Sequence, residues 1–166
     1  MTLLESTDSS DGGTVDAGGT YTLLVDVARD VTVEVGALGE LRFPAGGYAY
    51  TGSALGSGGF ARVARHRRVA DGDHDVRHWH VDYVLGHPAT DLVGVEVVGG
   101  ADVECRVARS LPAGPHEGFG ASDCGCHSHL AARDSVAGIA RSCRRVYATA
   151  GVTDRAWSGE GRLPDG

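Results

Sequence analysis

LRFPAGGYAYTGSALGSGGFARVARHRR, residues 41–68, is the stretch that decides the fold. Pro44-Ala45-Gly46-Gly47 interrupts what precedes it, and Gly47 to Gly52 then reads as a strand. Alternation places Tyr48 and Tyr50 on one face of that strand. Ser53 to Gly59 is a glycine- and serine-rich turn, and an arginine-loaded helix begins at about Phe60. On this helix Arg62 and His66 are one turn apart, so their side chains meet. A phenol, a guanidinium and an imidazole beside such a turn suit a phosphodiester. Gly52 and the glycines after it let the backbone approach a phosphate closely.

Upstream, Gly19 to Val27 (GTYTLLVDV) is rich in β-branched and aromatic residues and predicts a central strand. Val31 to Val35 alternates as a half-exposed strand does, and Glu40 to Phe43 returns as its hairpin partner. Downstream, the acidic link 71–75 leads into a helix over Arg77 to Leu85, with Trp79 and Tyr83 on one face. Asp91 to Val98 is a further apolar strand. Ala101 or Asp102 opens a short helix that runs to about Leu111, before Pro112. A glycine-rich loop spans residues 112–127, and Ser128 to Ala132 is extended. Asp134 is the expected N-cap of a last helix, Ser135 to Ala148, whose arginines gather at its C-terminal half as the helix dipole favours. This alternation of elements predicts an α/β (α+β) domain, a small mixed, mostly antiparallel sheet flanked by helices.

Tyr50-Thr51-Gly52 resembles the second half of the GIY-YIG nuclease signature, and Gly19-Thr20-Tyr21 resembles the first half. Arg62-Val63 and His66 stand where that superfamily carries an essential arginine and, one turn later, a tyrosine or histidine. Further blocks, His78-Trp79-His80-Val81-Asp82-Tyr83, Glu104-Cys105 and Gly118-Phe119-Gly120-Ala121-Ser122-Asp123-Cys124-Gly125-Cys126 with Ser128-His129-Leu130, are similar to the Uri-type branch. The resemblance implies a GIY-YIG-like fold with an inserted β-hairpin, since about 28 residues separate Tyr21 from Tyr50. It also implies a Mg²⁺- or Mn²⁺-dependent endonuclease acting on DNA or RNA, with DNA repair as its setting. Many members carry a lysine just after the second glycine, whereas Ser53 stands there in this chain.

The chain has 166 residues, enough for one domain with a real core. Residues 1–17 read as an acidic leader rather than a signal peptide, 18–149 as the nuclease-like domain and 150–166 as a loose tail. No apolar run reaches membrane-spanning length, so a cytoplasmic protein is expected. All 15 basic residues are arginine; with the acid excess and 26 glycines, this suggests a high-salt cytoplasm or a GC-rich genome. The net charge of −7 argues against a nucleic-acid partner until it is placed. Residues 1–16 hold four acids and no base, and 150–166 hold three acids and two arginines. Removing these from 22 acids and 15 arginines leaves 15 against 13, a nearly neutral body with a basic strip at Arg62–Arg68.

Under the resemblance, Tyr21 and Tyr50 handle the water, His66 takes or relays its proton, Arg62 contacts the scissile phosphate and Glu104 holds the metal. Glu96 is the fallback carboxylate. A phenol near pKa 10 is a poor base, so cationic groups and the metal are expected to lower it. Gly52, Ser53, Arg65, His78, His80, Asp123 and His129 are the expected substrate contacts, with Arg65 touching flanking backbone or solvent. His78 pairs with Asp82 at i, i+4. Zinc is a further possibility at Cys124, Cys126 and His129, with Cys105 or His127; Cys143 reads as a small buried residue. The expected substrate is structure-selective (a flap, nick or single strand), with no obligate protein partner. The alternatives are an inactive nucleic-acid-binding module and a zinc-stabilised interaction domain.

Overall fold

The structure is a computed structural model that describes residues 18–54, 59–72, 80–99, 102–120, 126–149 and the backbone of 155–157. His78, Trp79, Asp123, Cys124, the acidic leader and the acidic link at 73–75 lie outside the described residues.

Seven strands are described: β1 (Gly19–Val27), β2 (Val31–Glu34), β3 (Glu40–Phe43), β4 (Gly46–Ser53), β5 (Thr90–Gly99), β6 (Leu130–Arg133) and β7 (Arg155–Trp157). The helices are α1 (Ala61–Ala70), α2 (His80–Leu85), α3 (Glu104–Ser110) and α4 (Val136–Thr149). One sheet runs β6-β4-β1-β5-β7, and β2-β3 form a separate ribbon. Each pairing in the sheet is antiparallel, so the fold is α+β and the expected mixture of strand directions is absent from the described residues. The inserted hairpin is present, with Val31 opposite Phe43.

β1 lies at the centre because both of its faces are apolar: Leu23 and Leu24 point to opposite sides and both are buried. Tyr21, Leu23, Val25, Tyr48, Tyr50, Val95 and Val97 share one cluster with Val69, Val81 and Leu85 of the helices. Phe43 of the hairpin and Phe119 join it. The other face carries Leu24, Ala49 and Val98 against Val107, Ile139, Ala140, Cys143 and Tyr147. Each buried Val, Leu, Ile or Phe among them contributes roughly 1.5–3 kcal/mol relative to exposure.

The hairpin's alternation works as expected, since Val31 and Val33 face the core while Thr32 and Glu34 face out. Its base is tied by Asp30, which accepts the Ala45 N–H at 2.9 Å and pairs with Arg42 at 2.6 Å. Tyr48 is a packing residue, its hydroxyl donating to the Pro44 carbonyl at 2.7 Å.

One local expectation changes. Ser135, not Asp134, caps α4: its Oγ accepts the Gly138 N–H at 3.1 Å. In α4, Arg144 and Arg145 stand in the C-terminal half as expected and Arg141 near the middle, while the last turn holds no basic residue. In α2 the buried residues are Val81, Asp82, Val84 and Leu85, and Tyr83 packs half-buried against the same core. Among the described residues, no helix is long and apolar enough to cross a membrane.

Candidate active site

Tyr21 on β1 and Tyr50 on β4 reach the same face of the sheet, their ring centroids 6.4 Å apart. His66 projects from α1 onto both, at 5.6 Å from Tyr21 and 6.3 Å from Tyr50. The Tyr21 hydroxyl and His66 Nε2 are 2.8 Å apart, and His66 Nδ1 lies 3.0 Å from Asp82 Oδ1 on α2. A carboxylate only accepts, so Asp82 assigns the proton to Nδ1 and leaves Nε2 to accept from the Tyr21 hydroxyl. Arg65 Nη1 donates to the other Asp82 oxygen at 3.1 Å. The result is a chain from Tyr21 through His66 to Asp82, with a guanidinium neutralising its inner end.

Burial dominates the electrostatics here. Tyr21 and His66 are 1% and 0% exposed. Desolvation, helped by Tyr50, Glu104 and Asp82, pushes the Tyr21 phenol well above its ordinary value, and Arg62 opposes this without reversing it. Arg62 alone therefore does not bring the Tyr21 phenol below its ordinary value. Burial also lowers the His66 pKa, with Arg65 and Arg62 adding to the effect while Asp82 pulls it back up. His66 is thus neutral at pH 7 and able to receive a proton.

Arg62 and Glu104 complete the cluster nearer the surface. Arg62 is half-buried, and its Nη1 donates to the Ser53 carbonyl, so Ser53 serves through its backbone. Glu104 opens α3, and its side chain is 24% exposed. Glu96 is excluded from the site. It pairs across the sheet with Thr22, whose hydroxyl meets Tyr147 of α4, so it faces the opposite side. There it helps burial push the Cys143 thiol up to about 12.

Two glycines let the tyrosines sit where they do. A Cβ on Gly52 would stand 2.6 Å from the Tyr21 hydroxyl, and one on Gly120 would stand 2.7 Å from Tyr50 Cε1. Gly52 thus makes room for Tyr21, which the reading of it as a phosphate-facing glycine did not foresee.

The remaining sequence-predicted residues divide. His80 accepts the Gly120 N–H at 2.8 Å and meets Phe119 edge-on, so it fastens the loop over Tyr50. Arg65 turns inward to Asp82 rather than outward to solvent or flanking backbone. His129 lies beside Glu104, its Nδ1 3.1 Å from Oε2 but off line for a straight hydrogen bond. Its Nε2 is 3.9 Å from Cys105 Sγ, and the ligand atoms of Cys105, Cys126 and His129 all lie within 4.8 Å of one another. Of the zinc candidates, Cys126 and His129 therefore come together with Cys105.

Asp82 takes part in more than the expected pairing with His78, which lies outside the described residues. Both of its oxygens are engaged by α1, contacts to which spacing along the chain did not point. The available signal was an acid among Val81, Val84 and Leu85, because an acid on an apolar face needs a buried partner.

Fold and site together define an antiparallel α+β domain built over a buried tyrosine–histidine–aspartate chain, with an arginine and a glutamate nearer the surface. The chain belongs to the family described as Domain of unknown function DUF123, whose profile matches residues 20–152. Comparisons with curated proteins and with solved structures give no match.

Proposed function

We propose that this chain is a divalent-metal-dependent endonuclease of the GIY-YIG type, hydrolysing phosphodiester bonds in DNA or RNA. One observation carries the reading. Tyr21, Tyr50, Arg62, His66 and Glu104 come from four separate elements, and Tyr50, Arg62 and Glu104 are all close enough to act on the Tyr21 phenol that His66 holds.

Attack on phosphorus needs an acceptor for the proton of water, and a phenol raised by burial is not ionised at neutral pH. The relay avoids a free phenolate. The Tyr21 oxygen takes the proton of water as its own proton passes to His66 Nε2, and Asp82 stabilises the imidazolium formed. Arg62, steadied by the Ser53 carbonyl, offers a planar guanidinium to the phosphate oxygens. The donor set fits Mg²⁺ or Mn²⁺ at Glu104. One of its oxygens faces His129, and the other has no partner among the described residues. A hard cation held there would supply Lewis-acid stabilisation of the phosphate charge.

The burial of Tyr21 and His66 favours a second reading, a binding module that kept this constellation without turnover. A cleavage assay separates the two. Duplex, single-strand, flap and RNA substrates are incubated with Mg²⁺ or Mn²⁺ in high and moderate KCl, using wild-type, Glu104→Ala and Arg62→Ala proteins. Metal-dependent cutting by wild type that is lost in both variants supports the nuclease. Tight, metal-independent binding by a folded wild type that cuts nothing supports the module, and cutting that survives both substitutions overturns the site.

A further inference from the structure

Beside the proposed nuclease centre lies a donor set of different chemistry. Cys105 is on α3, Cys126 precedes the turn into β6, and His129 immediately precedes β6. We infer that Cys105 Sγ, Cys126 Sγ and His129 Nε2 form a site for one zinc-class ion, bound by two thiolates and an imidazole, independent of whether the chain cuts nucleic acid.

The geometry carries this. About 2.3 Å for Zn–S and 2.0–2.1 Å for Zn–N give a tetrahedron whose edges are roughly 3.5–3.8 Å. Cys105 Sγ and His129 Nε2 are already 3.9 Å apart, and no pair of ligand atoms in the group exceeds 4.8 Å. Contraction by no more than about 1.3 Å per edge closes the site, and both cysteines are only half-buried. His129 is fixed in advance: its N–H donates to the Phe119 carbonyl at 2.8 Å and its carbonyl accepts the Thr51 N–H at 3.0 Å.

The surroundings match a metal-binding imidazole. Ligation through Nε2 leaves Nδ1–H facing Glu104 Oε2, 3.1 Å away, the carboxylate partner that metal-bound histidines commonly have. Arg109 Nη1, 3.9 Å from Cys126 Sγ, places a positive charge beside the two thiolates. Sulfur donors select zinc over magnesium, so this ion does not compete with a hard cation at Glu104. The bound ion would tie α3 to the loop ahead of β6 and fix the direction of the Glu104 carboxylate through His129.

The test uses the full chain, stripped of metal and titrated with Co²⁺ as a spectroscopic stand-in, then with Zn²⁺. The expected result is about one equivalent bound, with a thiolate-to-cobalt charge-transfer band in the near ultraviolet and tetrahedral ligand-field bands that Zn²⁺ abolishes. Cys105→Ala and Cys126→Ala each weaken the charge-transfer band, the double variant loses it, and Cys143→Ala keeps it. Glu104→Gln weakens Zn²⁺ binding about 10- to 100-fold. Alkylation of the wild-type chain, read by peptide mass spectrometry, needs no variant to fold: Zn²⁺ protects Cys105 and Cys126. A folded wild-type protein without the band, a band that survives the double variant, or alkylation of both cysteines unaffected by Zn²⁺ overturns the site.

Discussion

Tyr21 and Gly52 face each other across β1 and β4, and a Cβ added at Gly52 would fall 2.6 Å from the Tyr21 hydroxyl. That hydroxyl is held 2.8 Å from His66 Nε2. Gly52→Ala therefore displaces the first group of the relay without removing any catalytic atom. Cleavage is expected to fall on the order of 100-fold, the worth of a positioned proton acceptor. Overpacking costs about 1–3 kcal/mol of stability, read by urea unfolding. A Gly52→Ala protein that cuts at the wild-type rate would falsify the placement of Tyr21.

Asp82 fixes the tautomer of His66. In Asp82→Asn the shape is nearly kept, but the amide can present its N–H₂ to Nδ1 and drive the ring proton to Nε2, where Tyr21 needs an acceptor. Cleavage is expected to drop by roughly 10³–10⁴ with the fold retained. Asp82→Ala goes further, leaving Arg65 without that carboxylate, and costs about 3–5 kcal/mol. Nitrogen shifts of the His66 ring decide the point independently of activity: the wild-type ring carries its proton on Nδ1, and Asp82→Asn moves it. An unchanged tautomer in Asp82→Asn counts against the relay.

His66 also sets a direction for pH. Its folded pKa lies below the ordinary histidine value of 6.5 because the ring is buried. As pH falls from about 6.5, the unfolded chain takes a proton that the folded chain refuses. Stability is then lost until the pH passes below the folded pKa, at no more than about 1.4 kcal/mol per pH unit. Cleavage follows the same sense, level above pH 7 and falling in acid as the proton acceptor fills. Urea unfolding at pH 7.5 and 5.5 should show this loss in wild type and less of it in His66→Gln. Equal losses in the two proteins would assign the pH dependence to other groups.

The parts of the chain that were legible in sequence share a cause. β1 and β4 announced themselves through alternation and β-branched content, and Arg62 and His66 through one-turn spacing on a single helix. Local periodicity carries such information directly. The contacts of Asp82 with His66 and Arg65 were not legible, because both lie on another helix and spacing within α2 says nothing of them. The same holds for Gly52, whose meaning depends on which residue the antiparallel register sets opposite it. Tyr21 was legible in place but not in chemistry, since only the packed structure shows that desolvation outweighs the nearby arginine. Glu96 shows the converse: as a strand acid it was a reasonable fallback until register put it on the face of Thr22.

That opposite face supplies the last prediction, a change that alters stability and leaves chemistry alone. Thr22 Oγ1 lies 2.8 Å from the Tyr147 hydroxyl and 2.9 Å from Thr51 Oγ1, so three buried hydroxyls bind α4 to β1 and β4. Tyr147→Phe removes one hydroxyl and keeps the ring in the cluster with Ile139, Ala140 and Cys143. The loss should be about 0.5–1.5 kcal/mol, because each threonine retains the other as partner. Cleavage by the folded variant should match wild type, since Tyr147 lies across the sheet from Tyr21. Tyr147→Phe beside Tyr21→Phe then isolates what a buried hydroxyl does on each face. Tyr21→Phe leaves His66 Nε2 without its donor and should lose cutting as well as about 1–3 kcal/mol. If both variants lose activity in proportion to stability alone, Tyr21 is an anchor of the core and the relay has no catalytic role.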